Sequence, residues 1–237
     1  MSKKGKLYLI PVPLGEHAGH TIPAYVVEQL HQLTYFIAER AKTARHYIKT
    51  TQPVKAFSEL HFSELNKRTP PEEIKNFLNP AEQGHDIGLL SEAGCPGVAD
   101  PGAQIVAMAH ERAIEVVPLV GPSSILLALM ASGMNGQNFT FHGYLSPKKP
   151  ELVKDLKRLE QISLKYRQTQ IFIETPYRNM GLIEQAIQSL SPRTQFCIAA
   201  DLSLASEYIA SKRIAEWAKT TIPNLHKRPA IFLLYGA

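Results

Sequence analysis

The sequence predicts an α/β protein of two domains, the first built on a mostly parallel, doubly wound sheet and the second on a mixed α/β sheet. Three observations predict it. Short apolar runs alternate with stretches of helical periodicity through the first half of the chain. Breaks rich in Gly and Pro fall where those runs stop, at residues 11–15, 91–102 and 121–124, as loops at the carboxyl edge of a parallel sheet do. From Phe139 onward the strands turn aromatic and β-branched, the composition of mixed or antiparallel sheets. The change of texture sets the domains at residues 1–119 and 120–237.

Taken in order, residues 6–11 form the first strand and stop at a Pro/Gly turn. Residues 21–33 follow at helical spacing, with Thr21 as cap and Pro23 in the first turn. A strand at residues 35–38 enters a basic helical stretch at 39–46, with Glu39 at the strand end, where a carboxylate either faces a ligand or pairs with a neighbouring base. Residues 54–57 read as a short strand, and 59–67 are polar enough for loop or helix. Pro70, Pro71, Glu72 and Glu73 open a helix to Leu78, with prolines and acids at its amino end as the dipole prefers.

The central stretch is the most informative. An apolar run at 87–90 reads as a buried parallel strand and stops in a loop carrying Gly94, Pro96, Gly97, Pro101 and Gly102. Glycines allow close approach or positive φ and prolines fix φ, so this loop is shaped before anything binds. A helix at 103–110, a strand at 115–119, a second break at Gly121, Pro122, Ser123 and Ser124, and an apolar helix repeat the unit, which puts both loops on one sheet edge.

In the second half, residues 139–144 form a strand. A helix opens at Lys148, Lys149 and Pro150; its Lys154, Lys157, Arg158, Lys165 and Arg167 alternate with Glu151, Asp155 and Glu160, an ordinary exposed pattern or a phosphate-binding rim. A strand at 170–174 ends in Glu174, Thr175, Pro176, Tyr177 and Arg178 and leads to a helix through Leu190. Strands follow at 196–200, 207–210 and 230–235, with a helix at 212–220; the last strand is apolar throughout and belongs at the centre of its sheet.

Composition narrows the class. The 26 Lys and Arg against 21 Asp and Glu give a net charge of +5, which favours a polyanionic partner without demanding one. No apolar run reaches the roughly 18 residues of a membrane span, and the start, Met1 to Lys6, has no signal-peptide core, so a cytoplasmic protein is expected. Two cysteines without CxxC spacing are expected reduced, with Cys95 a packed residue rather than a nucleophile. Metal binding has no ligand cluster to support it. His17 and His20 read as surface polar groups, and Trp217 as a packing residue.

The ordered motifs resemble the tetrapyrrole methylase superfamily. They are Leu7-Tyr8 through Pro13-Leu14-Gly15; Ser91-Glu92-Ala93-Gly94-Cys95-Pro96 with Ala99-Asp100-Pro101-Gly102; residues 117–124; Ala131-Ser132-Gly133; Gly143-Tyr144-Leu145; and Glu174-Thr175-Pro176-Tyr177-Arg178. Within that superfamily the chain is most similar to the bacterial enzymes that methylate a cytidine ribose 2′-hydroxyl in 16S ribosomal RNA. The resemblance implies a two-domain enzyme that binds S-adenosylmethionine in the cleft between domains, commonly as a homodimer, with no metal and with small-subunit ribosomal RNA as substrate. By motif, Pro13, Leu14 and Gly15 would form the first cofactor loop and Ser91, Glu92, Ala93, Gly94, Val98, Ala99 and Asp100 the second. Ser123 would make the interdomain contact, and Pro229 and Ala230 would touch adenine.

Methyl transfer to a ribose hydroxyl needs donor and acceptor held close in a dry site, and a base or cation helps a poor nucleophile. Glu39, Asp100 and Glu174 are the candidate bases, with Lys148 or Arg178 as electrostatic partner. The departures from the ribosomal RNA branch, which include a loosely kept His/Asn-rich element at residues 61–66 and a different segment at 201–209, fall on the substrate side more than on the cofactor loops. The ribosomal RNA branch usually reads Ala-Glu-Asp-Thr-Arg where this chain has Ala38-Glu39-Arg40-Ala41-Lys42, and Ser-Asp-Ala-Gly where it has Ser91-Glu92-Ala93-Gly94. A methyltransferase of the same fold acting on a tetrapyrrole or other small metabolite, and a non-catalytic module that binds S-adenosylmethionine, are the alternatives.

Overall fold

The computed structural model describes residues 3–236; Met1 and Ser2, the head of the amino-terminal stretch, and Ala237 lie outside the described residues. The chain forms two compact units that meet in sequence between Ser123 and Ser124, whereas the sequence sets the boundary after Leu119. Residues 120–122 stay with the first unit because the Val120 amide donates to the Tyr25 hydroxyl (3.1 Å) and the Cys95 thiol to the Pro122 carbonyl (3.4 Å).

The first unit is a five-stranded sheet of β1 (Leu7–Ile10), β2 (Tyr35–Ala38), β3 (His61–Glu64), β4 (Ile87–Leu90) and β5 (Val116–Pro118), in the order β3-β2-β4-β1-β5 with every pairing parallel. Central β4 is buried along its whole length, as a strand covered on both faces must be. The chain leaves β1 toward β2 and leaves β4 toward β5, in opposite directions across the sheet. Those neighbouring strands therefore flank the switch point, where open α/β sheets bind ligands at the strands' carboxyl ends. Helices α1 (Ala24–Gln32), α2 (Ala41–Thr50), α3 (Pro71–Ile74), α4 (Asn79–Glu82) and α5 (Gly102–Glu111) connect the strands.

Four expectations are corrected here. Residues 54–57 make no strand: Val54 is 97% exposed, and the chain turns through a 3-10 helix at Phe57–Glu59. The undecided stretch after it contains β3, an edge strand whose polar His61 and Glu64 are exposed. Its pairing is held by cross-strand stacks of Tyr35 on His61 (5.0 Å) and Phe36 on Phe62 (5.3 Å). Thr21 caps no helix, because its hydroxyl donates back to Ala18 and α1 begins only after Pro23. The helix expected through Leu78 breaks after Ile74, with Pro80 opening the separate α4.

The second unit contains α6 (Ser124–Ser132), β6 (Phe139–Tyr144), α7 (Lys149–Tyr166), β7 (Thr169–Ile173), α8 (Asn179–Ser189), β8 (Gln195–Ala200), β9 (Tyr208–Arg213), α9 (Ile214–Trp217) and β10 (Ala230–Tyr235). Its sheet runs β6-β7-β10-β8-β9, parallel between β6 and β7 and antiparallel elsewhere. β10 is the middle strand, as its unbroken apolar sequence predicts; Phe232, Leu233 and Leu234 are fully buried, worth about 1.5–3 kcal/mol each. Trp217 packs into this core and donates its indole N–H to the Phe196 carbonyl (2.7 Å).

Candidate active site

In the first unit, three loops meet beside the exits of β1 and β4. Val12 and Gly94 exchange both backbone hydrogen bonds at 3.0 Å, which ties the loop after β1 to the loop after β4. Gly94 has φ +74°, and a Cβ there would lie 3.3 Å from both Leu14 and the Pro122 carbonyl. Gly121 approaches closer still: a Cβ would sit 2.2 Å from Pro11 Cβ. Glycine is thus required at Gly121 by contact alone and favoured at Gly94 by its positive φ together with a tight contact. The Ser91 hydroxyl donates to the Gly94 carbonyl (2.9 Å), closing the turn. Pro13, Leu14, Gly15, Ser91 and Glu92 are half-buried, while Ala93, Val98 and Ala99 are exposed. Cys95 is a packed thiol donor whose pKa burial raises, which keeps it protonated.

Asp100 organises the second loop. One carboxylate oxygen accepts from the amides of Gly97 and Gly102, both at 2.8 Å, and so fastens the loop to the start of α5. Burial is the main cause that raises its pKa, opposed by those two hydrogen bonds and assisted by the charge of Glu39. Glu39 and Asp100 line one small hollow with Ser91, floored by the buried apolar Ala38, Leu65, Leu89 and Leu90. The Glu39 backbone carbonyl accepts from Asn66 (3.4 Å), but its carboxylate makes no hydrogen bond or ion pair among the described residues. Leu65, which follows β3, was invisible as a lining residue because β3 itself was.

In the second unit, antiparallel pairing brings the head of β10 beside the ends of β7 and β8. Glu174, just past β7, has a side chain only 2% exposed, and one of its oxygens accepts from Arg178 Nη2 (2.5 Å), Arg178 Nε (2.9 Å) and the Thr175 amide (2.6 Å). Asp201, just past β8, accepts from Arg228 Nε (2.7 Å) and the Ser206 hydroxyl (2.8 Å). Its amide donates to the Pro229 carbonyl (2.9 Å). Buried Asn179 donates to the carbonyls of Leu225 (3.1 Å) and Arg228 (2.7 Å), and Lys227 N to Pro176 O (2.9 Å), so residues 225–230 are strapped to the turn at 174–178. Ala230 is buried, Pro229 exposed, and Lys148 exposed at the start of α7. The sequence offered no sign of the Asp201–Arg228 pair, whose partners lie 27 residues apart.

Each unit thus presents its own cluster at strand ends. Glu174 is spent on its arginine and on a turn amide, and one oxygen of Asp100 on loop amides. Glu39 is the candidate base whose carboxylate is uncommitted. Among the described residues, no three His, Cys, Asp or Glu side chains gather as a metal site would need, and no helix is long and apolar enough to cross a membrane.

The family model of tetrapyrrole (corrin/porphyrin) methylases matches residues 6–218. A ribosomal RNA small subunit methyltransferase I of Bacillus subtilis (strain 168) is 30% identical over 227 residues, covering 94% of this chain and 70% of that protein. The protein of that name from Leptospira biflexa is 29% identical over 235 residues, covering 98% of this chain and 91% of that one. Among solved structures, the methyltransferase CobJ is similar with a TM-score of 0.64 at 15% identity, over 98% of this chain and 95% of that one. The cobalt precorrin-4 methyltransferase CbiF reaches 0.61 at 13%, over 97% and 94%. At such identities the two structures speak for the fold alone.

Proposed function

Because the chain belongs to the tetrapyrrole methylase family and is a methyltransferase, we propose that it moves a methyl group from S-adenosylmethionine to a ribose 2′-hydroxyl of RNA, with small-subunit ribosomal RNA as acceptor. The observation that carries the donor half is the pair of Gly/Pro loops laced by Val12 and Gly94 at the exits of adjacent β1 and β4. The residues present fit such a donor. Half-buried Pro13, Leu14, Gly15 and Ser91 present loop surface at the strand exits, and the buried Ala38, Leu65, Leu89 and Leu90 give the hollow beside Ser91 an apolar floor. S-adenosylmethionine, when bound, supplies an electrophilic methyl on a sulfonium.

The protein's own part is positioning and proton transfer. Loops held by Val12, Gly94 and Asp100 cost no reordering on binding, so binding energy is left for alignment. The Glu39 carboxylate, uncommitted and beside the apolar wall, accepts the hydroxyl proton. Asp100 serves as a positioning residue for the loop, and Glu174 as one for the Arg178 turn. The names of the relatives support RNA as the acceptor. Assembly as a homodimer is part of the proposal, supported by α6, which leaves Leu126 and Met130, four residues apart, 51% and 78% exposed. A cytoplasmic location follows from an RNA acceptor.

The test is transfer of a labelled methyl to small-subunit ribosomal RNA from a strain lacking this enzyme, beside a small-molecule extract containing tetrapyrroles. Label in ribose is the expected result. Label in the small-molecule fraction instead would replace the acceptor, and donor binding without transfer to either would leave a binding module.

A further inference from the structure

We infer that the outward face of α2 is a docking surface for the sugar-phosphate backbone of the RNA acceptor. The inference rests on the RNA reading above and adds where the chain grips its substrate.

Helix α2 buries Ala41, Ala44 and Ile48 against its sheet and turns Lys42, Arg45, His46 and Lys49 outward, all exposed. The spacing of those four places them in one stripe along the helix. No Asp or Glu occurs between residues 41 and 50. Ion pairs among the described residues use Lys6, Arg112, Arg158, Arg178 and Arg228, none of them on α2. The Arg45 guanidinium lies 4.6 Å from the centre of the Phe62 ring, which steadies the arm while leaving its charge outward.

This arrangement works against the helix. Like charges three and four apart repel, and cations in the first turn oppose the helix dipole, where exposed Arg40 and Lys42 both sit. An ordinary solvated helix relieves such strain with acids, as α7 does by pairing Arg158 with Asp155 (3.4 Å). A stripe that keeps its repulsion is relieved by an external polyanion. From Lys42 to Lys49 the helix rises about 10 Å, against about 3.4 Å per charge along one strand of a duplex.

Position gives the surface its partner. Glu39, which lines the hollow, is separated from α2 only by Arg40. The Ala41 amide donates to the Glu64 carboxylate (2.8 Å) and Asn66 donates to the Glu39 carbonyl. These bonds hold the loop after β3, with exposed Lys67 and Arg68, against the start of α2. Exposed cations therefore lie on both chain segments tied to the candidate base, Arg40 and Lys42 after it and Lys67 and Arg68 beyond Asn66, where a run of phosphates passing Glu39 would meet them.

The test compares K42Q/R45Q/K49Q with a charge-matched control on α7, K154Q/K157Q/K165Q, using filter binding of a small-subunit ribosomal RNA fragment between 50 and 200 mM salt. Donor affinity by calorimetry and thermal melting establish that each variant is folded. The α2 variant is expected to bind RNA about 10-fold more weakly at low salt, with a log–log salt slope shallower by about 2, and the control to stay within about 2-fold. Lys49→Glu alone gives a second reading in the same direction. An α2 variant equal to a wild type that binds and methylates RNA overturns this surface alone, as does a control that loses as much. A wild type that neither binds nor methylates RNA overturns the parent reading and this one with it.

Discussion

The two units hold their strand ends together by different means. In the first, backbone does most of the tying at the exits of β1 and β4: Gly121 lies on the Pro11 ring, Gly94 pairs with Val12, and the carboxylates of Asp100 and Glu64 are used on backbone amides. In the second, side chains do the tying, with Glu174 on Arg178, Asp201 on Arg228 and Asn179 on two carbonyls. The difference teaches where free chemistry remains. Loops closed by glycine leave Glu39 uncommitted, whereas a turn closed by ion pairs consumes the acids it contains.

The sharpest way to break this contrast is Gly121→Val. Its Cβ would meet a proline ring at 2.2 Å with no flexible group to yield, so a loss of about 3 kcal/mol is expected in the denaturant midpoint. An unchanged midpoint would mean the loops are not locked by contact. Next in size, Glu39→Gln should lower turnover about 100-fold while stability stays within about 0.5 kcal/mol. The same change at Glu174 should do the reverse. It weakens charge-assisted bonds to Arg178, itself 40% exposed, for a loss of about 1 kcal/mol in stability. Kinetics and chemical denaturation on both variants decide whether the division of labour holds.

Glycine provides a contrast of sign. Gly181 lies in α8 with no positive φ, and a Cβ added there would meet nothing within 4 Å, so Gly181→Ala should stabilise by about 0.5 kcal/mol, read from melting. The smallest effect is a pH dependence. Burial raises Asp100 above its ordinary 3.8, so just above that pH the folded chain keeps a proton that the unfolded chain has released. Stability attributable to this group therefore falls as pH rises from 3.8 through the raised folded value. Asp100→Asn keeps an oxygen for the Gly97 and Gly102 amides and should flatten that segment of the profile, measured by denaturation across pH.

What was hidden in the sequence was hidden for local reasons. β3 has exposed His61 and Glu64, and an edge strand needs no apolar signature when its partner's aromatic rings hold it. The 54–57 run reads as a strand by composition, yet no neighbour pairs with it. Thr21 has the right side chain for a cap, but the preceding 3-10 turn takes its hydroxyl. Three candidate bases look alike on paper; their hydrogen-bond partners, Gly97, Gly102 and Arg178, separate them.

By itself, the sequence determined the alternation of strand and helix, the glycine and proline loops at strand ends, and the family, because each is written in contiguous residues. Only the tertiary structure decided which acid is already committed and which distant loop is tied beside Glu39. Those facts depend on groups brought together from distant positions, and no local pattern encodes a partner that folding alone brings near.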